Sequence, residues 1–297
     1  MLDYDLHSHS AVSDGTLTPA ELVGHAAERG VKTLALTDHD DMDGLPEARA
    51  AAASHGIRFI NGVEISVTWR NNITVHVVGL NVDPRHGPLA EGVASVRRGR
   101  GERARKMAES LAAAGIGGAL EGAYRHARNP ELIGRTHFAR FLVESGRCRD
   151  VASVFKNFLI KGKPGYVAHD WAALSDAVGW INGSGGVAVL AHPGRYTVGR
   201  KPLGKPTMRE LLREFIDLGG RAIEVVSGSH TSQQCADAAR YAAEFGLLAS
   251  CGSDYHGPGE SYRDLGQLPD FPLDCRPVWE AWEGVGGTPG AQDVGKG

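Results

Sequence analysis

The stretch that decides the fold is residues 5–22, DLHSHSAVSDGTLTPAEL, which begins as a short strand and ends in a helix. Thr18 and Glu21, with Pro19 between them, form the pattern of a helix start closed by a capping box. His7 and His9 precede that helix. Side chains two residues apart on a strand point to the same face, so both imidazoles can bind one ion. The stretch therefore predicts a strand whose end carries metal ligands, followed by a loop and a helix.

The alternation of strand and helix recurs along most of the chain. The strand-like runs are VKTLALTDHD, IRFINGVEISV and TVHVVGLNV, and later VAVLAHP, RAIEVVSGSH and LLASCGSDYH. Strands this apolar do not face water, and most of them are separated by helical patterns. We therefore expect a mainly parallel α/β sheet, either doubly wound or closed into a barrel of about seven or eight strands.

Two segments depart from this alternation. Residues 83–165 contain helical patterns without strands, so we expect an inserted helical subdomain there. The barrel domain would then consist of residues 1–82 and 166–271. Residues 272–297 carry one short helical pattern and a glycine-rich end, which predicts a C-terminal tail.

Composition limits the class of protein and its partners. The chain has 297 residues, 42% of them hydrophobic, and a formal net charge of −3. This charge favours neither duplex DNA nor an anionic membrane as a partner, so an anionic ligand has to be held locally. The four cysteines show no paired spacing, and we find neither a leader nor an apolar run of about 20 residues. We expect a cytoplasmic enzyme with reduced thiols, and predict no particular protein partner.

Imidazole and carboxylate groups collect at the ends of the predicted strands. They are His7, His9, Asp38, His39, Asp40, Glu64, His192, Glu224, His230, Asp254 and His256, with His76 inside the fourth strand. Ligands gather at the carboxyl ends of parallel strands, so these side chains are expected to meet. A donor set without thiolates suits zinc, manganese or iron. Glu64 is placed to bridge two ions about 3.5–4 Å apart that share an attacking hydroxide.

The alternative is that each histidine is an ordinary core or surface residue. One histidine near a strand is more often hydrogen-bonded than bound to metal. The coincidence of HxH, DHD, a lone glutamate, HP and DxH at successive strand ends favours a metal site over that alternative.

These motifs also resemble a known family. DLHSHSAVSDG, ALTDHD, GVEISV, HVVGL, AHPGR and GSDYH are similar, in this order, to the motifs of the polymerase and histidinol phosphatase (PHP) family of metal-dependent phosphoesterases. NPELIGRTHFARFLV and GKPGYVAH resemble its subgroup of bacterial nucleoside 3′,5′-bisphosphate phosphatases, whose relatives also trim short RNA from the 5′ end.

The resemblance implies a fold and a ligand set. The fold would be a distorted, TIM-like (β/α)7 barrel with an inserted helical subdomain, and two or three divalent ions, manganese before zinc or iron, would lie at its mouth. One ion would be bound by His7, His9, Glu64 and Asp254, a second by Glu64, His76 and His192, and a third by Asp14, His39 and His256. Many family members have histidine where this chain has Asp14, so we expect the third site to be weaker or filled only with substrate.

Arginines are the expected contacts for phosphate, because their fork matches phosphate oxygens. Arg195 follows the predicted ligand His192, and Arg135 lies in the segment that matches the subgroup. The alternative for Arg135 is an exposed arginine at a helix start. The basic run 97–106 would bring Arg100 and Arg103 to one side of a helix that could cover the barrel mouth, so we assign them as second-rank phosphate contacts.

The expected reaction is hydrolysis of a phosphomonoester, in which a metal-bridging hydroxide attacks phosphorus and releases the 3′-phosphate of a nucleoside 3′,5′-bisphosphate. Asp254 would orient or deprotonate the water, Arg195 would stabilise the transition state, and His230 would protonate the leaving group. Three alternatives remain open at this point: a 5′-3′ exonuclease on short RNA, a phosphatase of another small ester such as histidinol phosphate, and a non-catalytic domain that only binds metal.

Overall fold

A computed structural model describes residues 3–70, 73–196 and 207–283 of the chain. The glycine-rich end of the predicted tail, from residue 284, lies outside the described residues. Within the described ranges the strands are β1 (Tyr4–Asp5), β2 (Thr33–Leu36), β3 (Arg58–Trp69), β4 (Ile73–Leu80), β5 (Ala172–Ala173), β6 (Val187–Leu190), β7 (Ala222–Ser227) and β8 (Leu248–Gly252). The α-helices are α1 (Pro19–Glu28), α2 (Leu45–His55), α3 (Gly87–Ala113), α4 (Ala119–His126), α5 (Arg135–Glu144), α6 (Val151–Val154), α7 (Leu174–Gly183), α8 (Met208–Asp217), α9 (Ser232–Phe245) and α10 (Glu280–Glu283).

Seven strands form the barrel, in the order β1-β2-β3-β4-β6-β7-β8, while the short β5 pairs with β3 outside this path. The two ends of the order meet just beyond β1. There the backbone N–H of Leu6 donates to the carbonyl of Cys251 at 3.0 Å, and that of His9 donates to the carbonyl of Tyr255 at 2.9 Å. These bonds close the sheet, and the predicted distorted barrel of seven strands is confirmed.

The barrel is less parallel than the sequence predicts. Strand β4 runs antiparallel to both β3 and β6, because β3 and β4 form a hairpin without a helix between them. Glu64 was expected to end the third strand, but β3 continues from Glu64 to Trp69. The extension pairs with the start of β4, so that Ser66 lies opposite His76. Since β4 is reversed, His76 near its beginning reaches the same end of the barrel as the carboxyl ends of the parallel strands.

The first helix starts as its sequence predicts. Thr18 accepts a hydrogen bond from the backbone N–H of Glu21 at 3.2 Å, and Glu21 accepts one from the backbone N–H of Thr18 at 2.8 Å. This reciprocal capping box fixes where the loop after β1 ends. The loop that carries His9 and Asp14 is thereby held between a barrel strand and a fixed helix end.

Helices α3 to α6 have a hydrophobic cluster of their own, which includes Met107, Phe138, Leu142 and Leu159. This cluster is separate from the barrel clusters, and the first part of helix α3 packs into a barrel cluster through Leu89 and Val93. We retain residues 83–165 as our proposal for the bounds of the insertion. Its helices lie beside the barrel mouth, where they add side chains to the site described below.

The described part of the tail packs at the opposite end of the barrel. The ring of Trp279 stacks on that of Tyr4 with centroids 3.9 Å apart, and Val278 is fully buried. The backbone N–H of Val278 donates to the carbonyl of Ala249 at 2.8 Å. This contact covers the amino ends of β1 and β8. No helix among the described residues is long and apolar enough to cross a bilayer.

Candidate metal centre

The two histidines of the opening motif converge with an aspartate from the last strand. The Nε2 atoms of His7 and His9 lie 3.2 Å apart, and Oδ1 of Asp254 lies 3.6 Å from the first and 3.2 Å from the second. All three side chains are buried. Two imidazole nitrogens and one carboxylate oxygen thus face a common point, as in a metal site.

Glu64 lies at the middle of the cluster, with its side chain fully buried. Five imidazoles surround its carboxylate: to Oε1 the distances are 2.8 Å for His76 Nδ1, 3.0 Å for His192 Nε2 and 3.4 Å for His7 Nε2, and to Oε2 they are 2.8 Å for His39 Nδ1 and 3.4 Å for His9 Nε2. Burial raises the pKa of this carboxyl, but the surrounding imidazoles outweigh burial and hold it well below its usual value. The charged carboxylate has one oxygen on each side, as bridging two ions requires.

A third group of ligands lies beside the first. Oδ1 of Asp14 is 3.3 Å from Nε2 of His256 and 4.0 Å from Nε2 of His39. Together with His9, the ligand atoms of this group lie within 4.8 Å of one another. Nδ1 of His256 contacts the backbone carbonyl of Asp254 at 2.9 Å, which places its proton there and leaves the Nε2 lone pair directed at Asp14.

The chemistry of these atoms fits divalent ions. Buried polar groups are normally hydrogen-bonded. Yet Nδ1 of His39, Oε2 of Glu64 and Oδ1 of Asp14 are buried without a hydrogen-bond partner among the described residues. His39 and Glu64 are close but not in hydrogen-bond geometry. Lone pairs that face each other without a proton between them would be satisfied by a cation.

Glu224 is a site residue to which the sequence assigned no role. Its Oε1 lies 3.2 Å from Nδ1 of His7, and its Oε2 accepts a hydrogen bond from the backbone N–H of His192 at 2.6 Å. It is buried in the middle of β7. A buried carboxylate behind a ligand imidazole fixes the tautomer and the orientation of the ring. The signal available in the sequence was a charged residue inside the apolar run RAIEVVS.

Backbone strain concentrates at the same end of the barrel. Asp40, His192 and Asp254 have positive φ values of 49°, 26° and 54°. Residues other than glycine avoid this region, and each such residue costs about 1–3 kcal/mol unless its surroundings enforce it. Two of these strained residues, His192 and Asp254, are predicted ligands, and the third, Asp40, follows the predicted ligand His39.

Arg195 lies against the predicted ligand Asp254. Its Nη1 donates to Oδ2 of Asp254 at 2.6 Å, and 41% of the side chain remains exposed. Burial raises the pKa of Asp254, while Arg195 and the nearby imidazoles lower it to well below its usual value. The remaining guanidinium donors of Arg195 are available to an anion at the mouth.

The side chain of His230 contacts backbone atoms of two other elements. Its Nε2 accepts from the N–H of Gly194 at 3.0 Å, and its Nδ1 lies 3.2 Å from the carbonyl of Val225. A neutral ring with the proton on Nδ1 satisfies both contacts. His230 therefore holds the short turn Pro193–Arg195, and its role as general acid stays a prediction.

Arg100 and Arg103, the two predicted phosphate contacts on helix α3, are buried, and their contacts differ. Arg100 forms an ion pair with Asp40, with Nε 3.1 Å from Oδ2, whereas Arg103 donates to the carbonyl of Val167 at 3.4 Å. Both guanidinium groups lie over the ring of Trp171, at 5.0 and 5.2 Å. Asp40 balances the charge of Arg100, so less of that charge is available to an anion.

Arg135 has the surroundings of an anion-binding residue. It begins helix α5 and lies over the ring of Phe155 at 5.5 Å. Burial, together with the positive charges of Arg195 and Arg100, lowers its pKa. Burial, Arg135 and Arg100 also lower the pKa of Arg103 to about 9. Among the described residues neither Arg135 nor Arg103 has a carboxylate within 4 Å, so a negative ligand would relieve their repulsion.

Comparisons with known proteins show the family to which the chain belongs. The profile of the PHP domain matches residues 5–227. The chain is 54% identical over 283 residues to the 3′,5′-nucleoside bisphosphate phosphatase of Chromobacterium violaceum, covering 95% of this chain and 97% of that protein. It is 43% identical over 282 residues to the 5′-3′ exoribonuclease Rnm of Salmonella typhimurium, covering 94% of each.

A solved structure gives the same result. An amidohydrolase from Chromobacterium violaceum, with bound sulfate and no metal, superposes with a TM-score of 0.89 at 52% sequence identity, covering 95% of this chain and 96% of that one. The matched profile spans most of the chain and contains seven of the nine predicted ligand positions, in the order that the motifs predict, while Asp254 and His256 lie beyond its end. The chain belongs to the PHP domain family.

Proposed function

We propose that this protein is a metal-dependent phosphatase that removes the 3′-phosphate from nucleoside 3′,5′-bisphosphates. The observation that carries the proposal is the adjacency of two features: clustered imidazole and carboxylate ligands around Glu64, and arginines beside them, Arg135 and Arg103, that have no carboxylate partner among the described residues. The ligand cluster would hold the ions that bind the phosphate being cleaved, and the arginines would bind the second phosphate of the same substrate. The name of the Chromobacterium violaceum relative supports the same substrate class.

Two or three divalent ions would be held by the residues of the cluster. His7, His9 and Asp254 face one point, while Glu64 lies between His76 and His192 on one oxygen and near His39 on the other. Asp14, His39 and His256 would hold the third ion. Bound divalent ions lower the pKa of water and neutralise charge that develops on phosphoryl oxygens. We propose manganese as the metal, since imidazole and carboxylate ligands suit it as well as zinc or iron.

The protein's own groups have distinct tasks in this proposal. Asp254 keeps its charge beside Arg195, so it can orient a water through Oδ1 while Oδ2 accepts from the guanidinium. Arg195 has donors left to bind the equatorial oxygens of the phosphate, and charge-assisted bonds of this kind strengthen as charge develops. His230 positions Arg195 through the turn at Gly194.

The second phosphate would bind at the insertion. Arg135 is its first contact and Arg103 its second, because Arg135 is partly buried, Arg103 is buried, and neither has an ion pair among the described residues. Arg100 contributes to the positive potential, although Asp40 compensates its charge. Binding energy from this remote phosphate can raise the rate only if it is realised in the transition state.

A second candidate activity is 5′-3′ hydrolysis of short RNA. The observation that favours it is the 43% identity to the exoribonuclease of Salmonella typhimurium over nearly the whole chain. Another small phosphate ester is the third candidate. A non-catalytic domain would retain the fold without needing uncompensated arginines beside the ligands.

Phosphate release from a substrate panel tests the proposal. The panel contains a nucleoside 3′,5′-bisphosphate, the corresponding 3′- and 5′-monophosphates, histidinol phosphate and a short 5′-phosphorylated RNA. We expect the highest kcat/KM for the bisphosphate, loss of activity after removal of metal by a chelator, and recovery with Mn²⁺. Full activity of metal-free protein, or a clear preference for RNA or histidinol phosphate, would contradict the proposal.

We also propose a cytoplasmic location, which the four free cysteines support. Substrates would be small phosphorylated nucleotides, and neither duplex DNA nor a membrane is proposed as a partner. Fractionation of cells that produce the protein at its natural level would test the location.

A further inference from the structure

The insertion makes direct contact with one predicted metal ligand. Thr136, in the first turn of helix α5, donates its hydroxyl to Oδ2 of Asp14 at 2.8 Å. One turn later, Nη2 of Arg140 donates to the backbone carbonyl of Asp14 at 2.6 Å. Asp14 is only 7% exposed. Both the side chain and the backbone of this barrel residue are therefore held by a helix that does not belong to the barrel.

Arg140 also holds the other loop of the third ligand group. Its Nε donates to Oε1 of Glu260 at 2.9 Å and its Nη2 to Oε2 at 2.7 Å, a two-point contact that is mostly buried. Glu260 is four residues beyond His256. Its neighbour Ser261 accepts a hydrogen bond from the backbone N–H of His256 at 2.7 Å. A single arginine thus fixes the loops of two ligands relative to each other.

These contacts leave one oxygen of Asp14 for a ligand. Oδ2 is occupied by Thr136, whereas Oδ1 is buried, has no hydrogen-bond partner among the described residues, and points toward Nε2 of His256 at 3.3 Å. A carboxylate held through one oxygen cannot rotate away from its ligand position. Outer contacts of this kind typically change metal affinity by about 10–100-fold.

We propose that helix α5 assembles the third metal group, and that Thr136 and Arg140 are positioning residues that set the affinity of the third ion. This inference rests on the proposed metal-dependent function. It explains how an aspartate, with a shorter reach than a histidine, can serve as a ligand in this group: the insertion holds it in place. The barrel ligands around Glu64 do not contact these two residues, so their affinities should be independent of them.

Binding of Mn²⁺ alone to chelator-treated protein tests this inference without any measurement of activity. We expect three equivalents on the wild-type protein, by calorimetric titration and by electron paramagnetic resonance of the free ion. Thr136→Val keeps the shape of the side chain and removes its donor, and should weaken one equivalent by about 10–100-fold while two remain unchanged. Thr136→Ser restores the hydroxyl and should restore most of that affinity.

Arg140→Met should weaken the same equivalent. The matched control is Arg125→Met, because Arg125 pairs with Glu144 on the surface of the same insertion, away from the ligands. The inference is wrong if Thr136→Val binds all three ions normally, if all three equivalents weaken together, or if the control behaves as Arg140→Met does. A wild-type protein that binds only two ions would overturn this inference and leave the proposed function intact, whereas one that binds none would overturn both.

Discussion

His7 and Glu224 form a buried contact across the barrel, with Nδ1 of the imidazole 3.2 Å from Oε1 of the carboxylate. The two residues are 217 positions apart, on strands β1 and β7 or immediately beyond them. With its Nδ1 proton directed at Glu224, His7 presents the Nε2 lone pair to the centre of the cluster. The same carboxylate holds the backbone of His192, so it orients ligands on two sides of Glu64.

Glu224→Gln should therefore weaken metal binding without removing a ligand. We expect affinity for Mn²⁺ to fall by about 10–100-fold, because the amide is a weaker acceptor and can present its N–H₂ group to His7. The measurement is titration of chelator-treated protein with Mn²⁺. Glu244→Gln serves as the control, since Glu244 pairs with Arg209 at the surface. Unchanged affinity in Glu224→Gln would exclude an orienting role.

Glu64→Gln should be the most damaging change of a single ligand. It removes the negative charge that lies between imidazoles on both sides, so we expect loss of the two ions it would share and a fall in kcat/KM of more than about a hundred-fold. Metal content after dialysis and phosphate release measure the two effects. Glu102→Gln is the control, because Glu102 pairs with Lys106 on an exposed face of α3. A variant that retained both ions and near-normal turnover would show that Glu64 is not a bridge.

Arg135→Ala should separate bisphosphates from simpler esters. Loss of a charge-assisted contact costs about 1.5–3 kcal/mol, which corresponds to a fall of roughly ten- to a hundred-fold in kcat/KM for a 3′,5′-bisphosphate. Hydrolysis of a small aryl phosphate, which has no second phosphate, should hardly change. Equal losses on both substrates would place Arg135 at the cleaved phosphate or in the fold. No loss on either would make it an ordinary surface residue.

His137 should make the stability of the protein depend on pH. Its Nδ1 accepts from the backbone N–H of Gly134 at 3.0 Å, and burial lowers its pKa from 6.5 to about 4. Below pH 6.5 His137 binds a proton in the unfolded state but not in the folded state. The free energy of unfolding therefore falls as the pH falls, until about pH 4. Between pH 7 and pH 5 this amounts to about 2 kcal/mol.

The measurement is urea unfolding of metal-free protein at pH 7 and pH 5. His137→Asn keeps an acceptor for Gly134 but does not titrate, and should lose about 2 kcal/mol less stability than the wild type over this interval. The cluster histidines contribute equally to both proteins and cancel. His55→Asn, at an exposed position, is the control and should match the wild type. An identical pH dependence in all three proteins would contradict this prediction.

The sequence by itself determined the fold class, the order in which the strand-end motifs follow one another, and the kinds of side chain in the ligand cluster, imidazole and carboxylate. These features are local: alternation of apolar runs, the capping box at Thr18 and the two-residue spacing of His7 and His9 depend on neighbouring residues. The general rule that ligands collect at the carboxyl ends of strands was then enough to predict that the groups meet. The sequence did not predict the direction of β4 or the continuation of β3 beyond Glu64. Two strands of a hairpin and two parallel strands can have the same apolar pattern.

Only the tertiary structure decided which charges are compensated. Arg100, Arg103 and Arg135 are alike in sequence, yet Arg100 meets Asp40 from a different element while the other two lack such a partner among the described residues. The same holds for Glu224 behind His7 and for Thr136 on Asp14, 122 positions away. An ion pair or an orienting hydrogen bond depends on distances of a few ångströms between residues far apart in the chain, and the packing of the barrel and its insertion sets those distances.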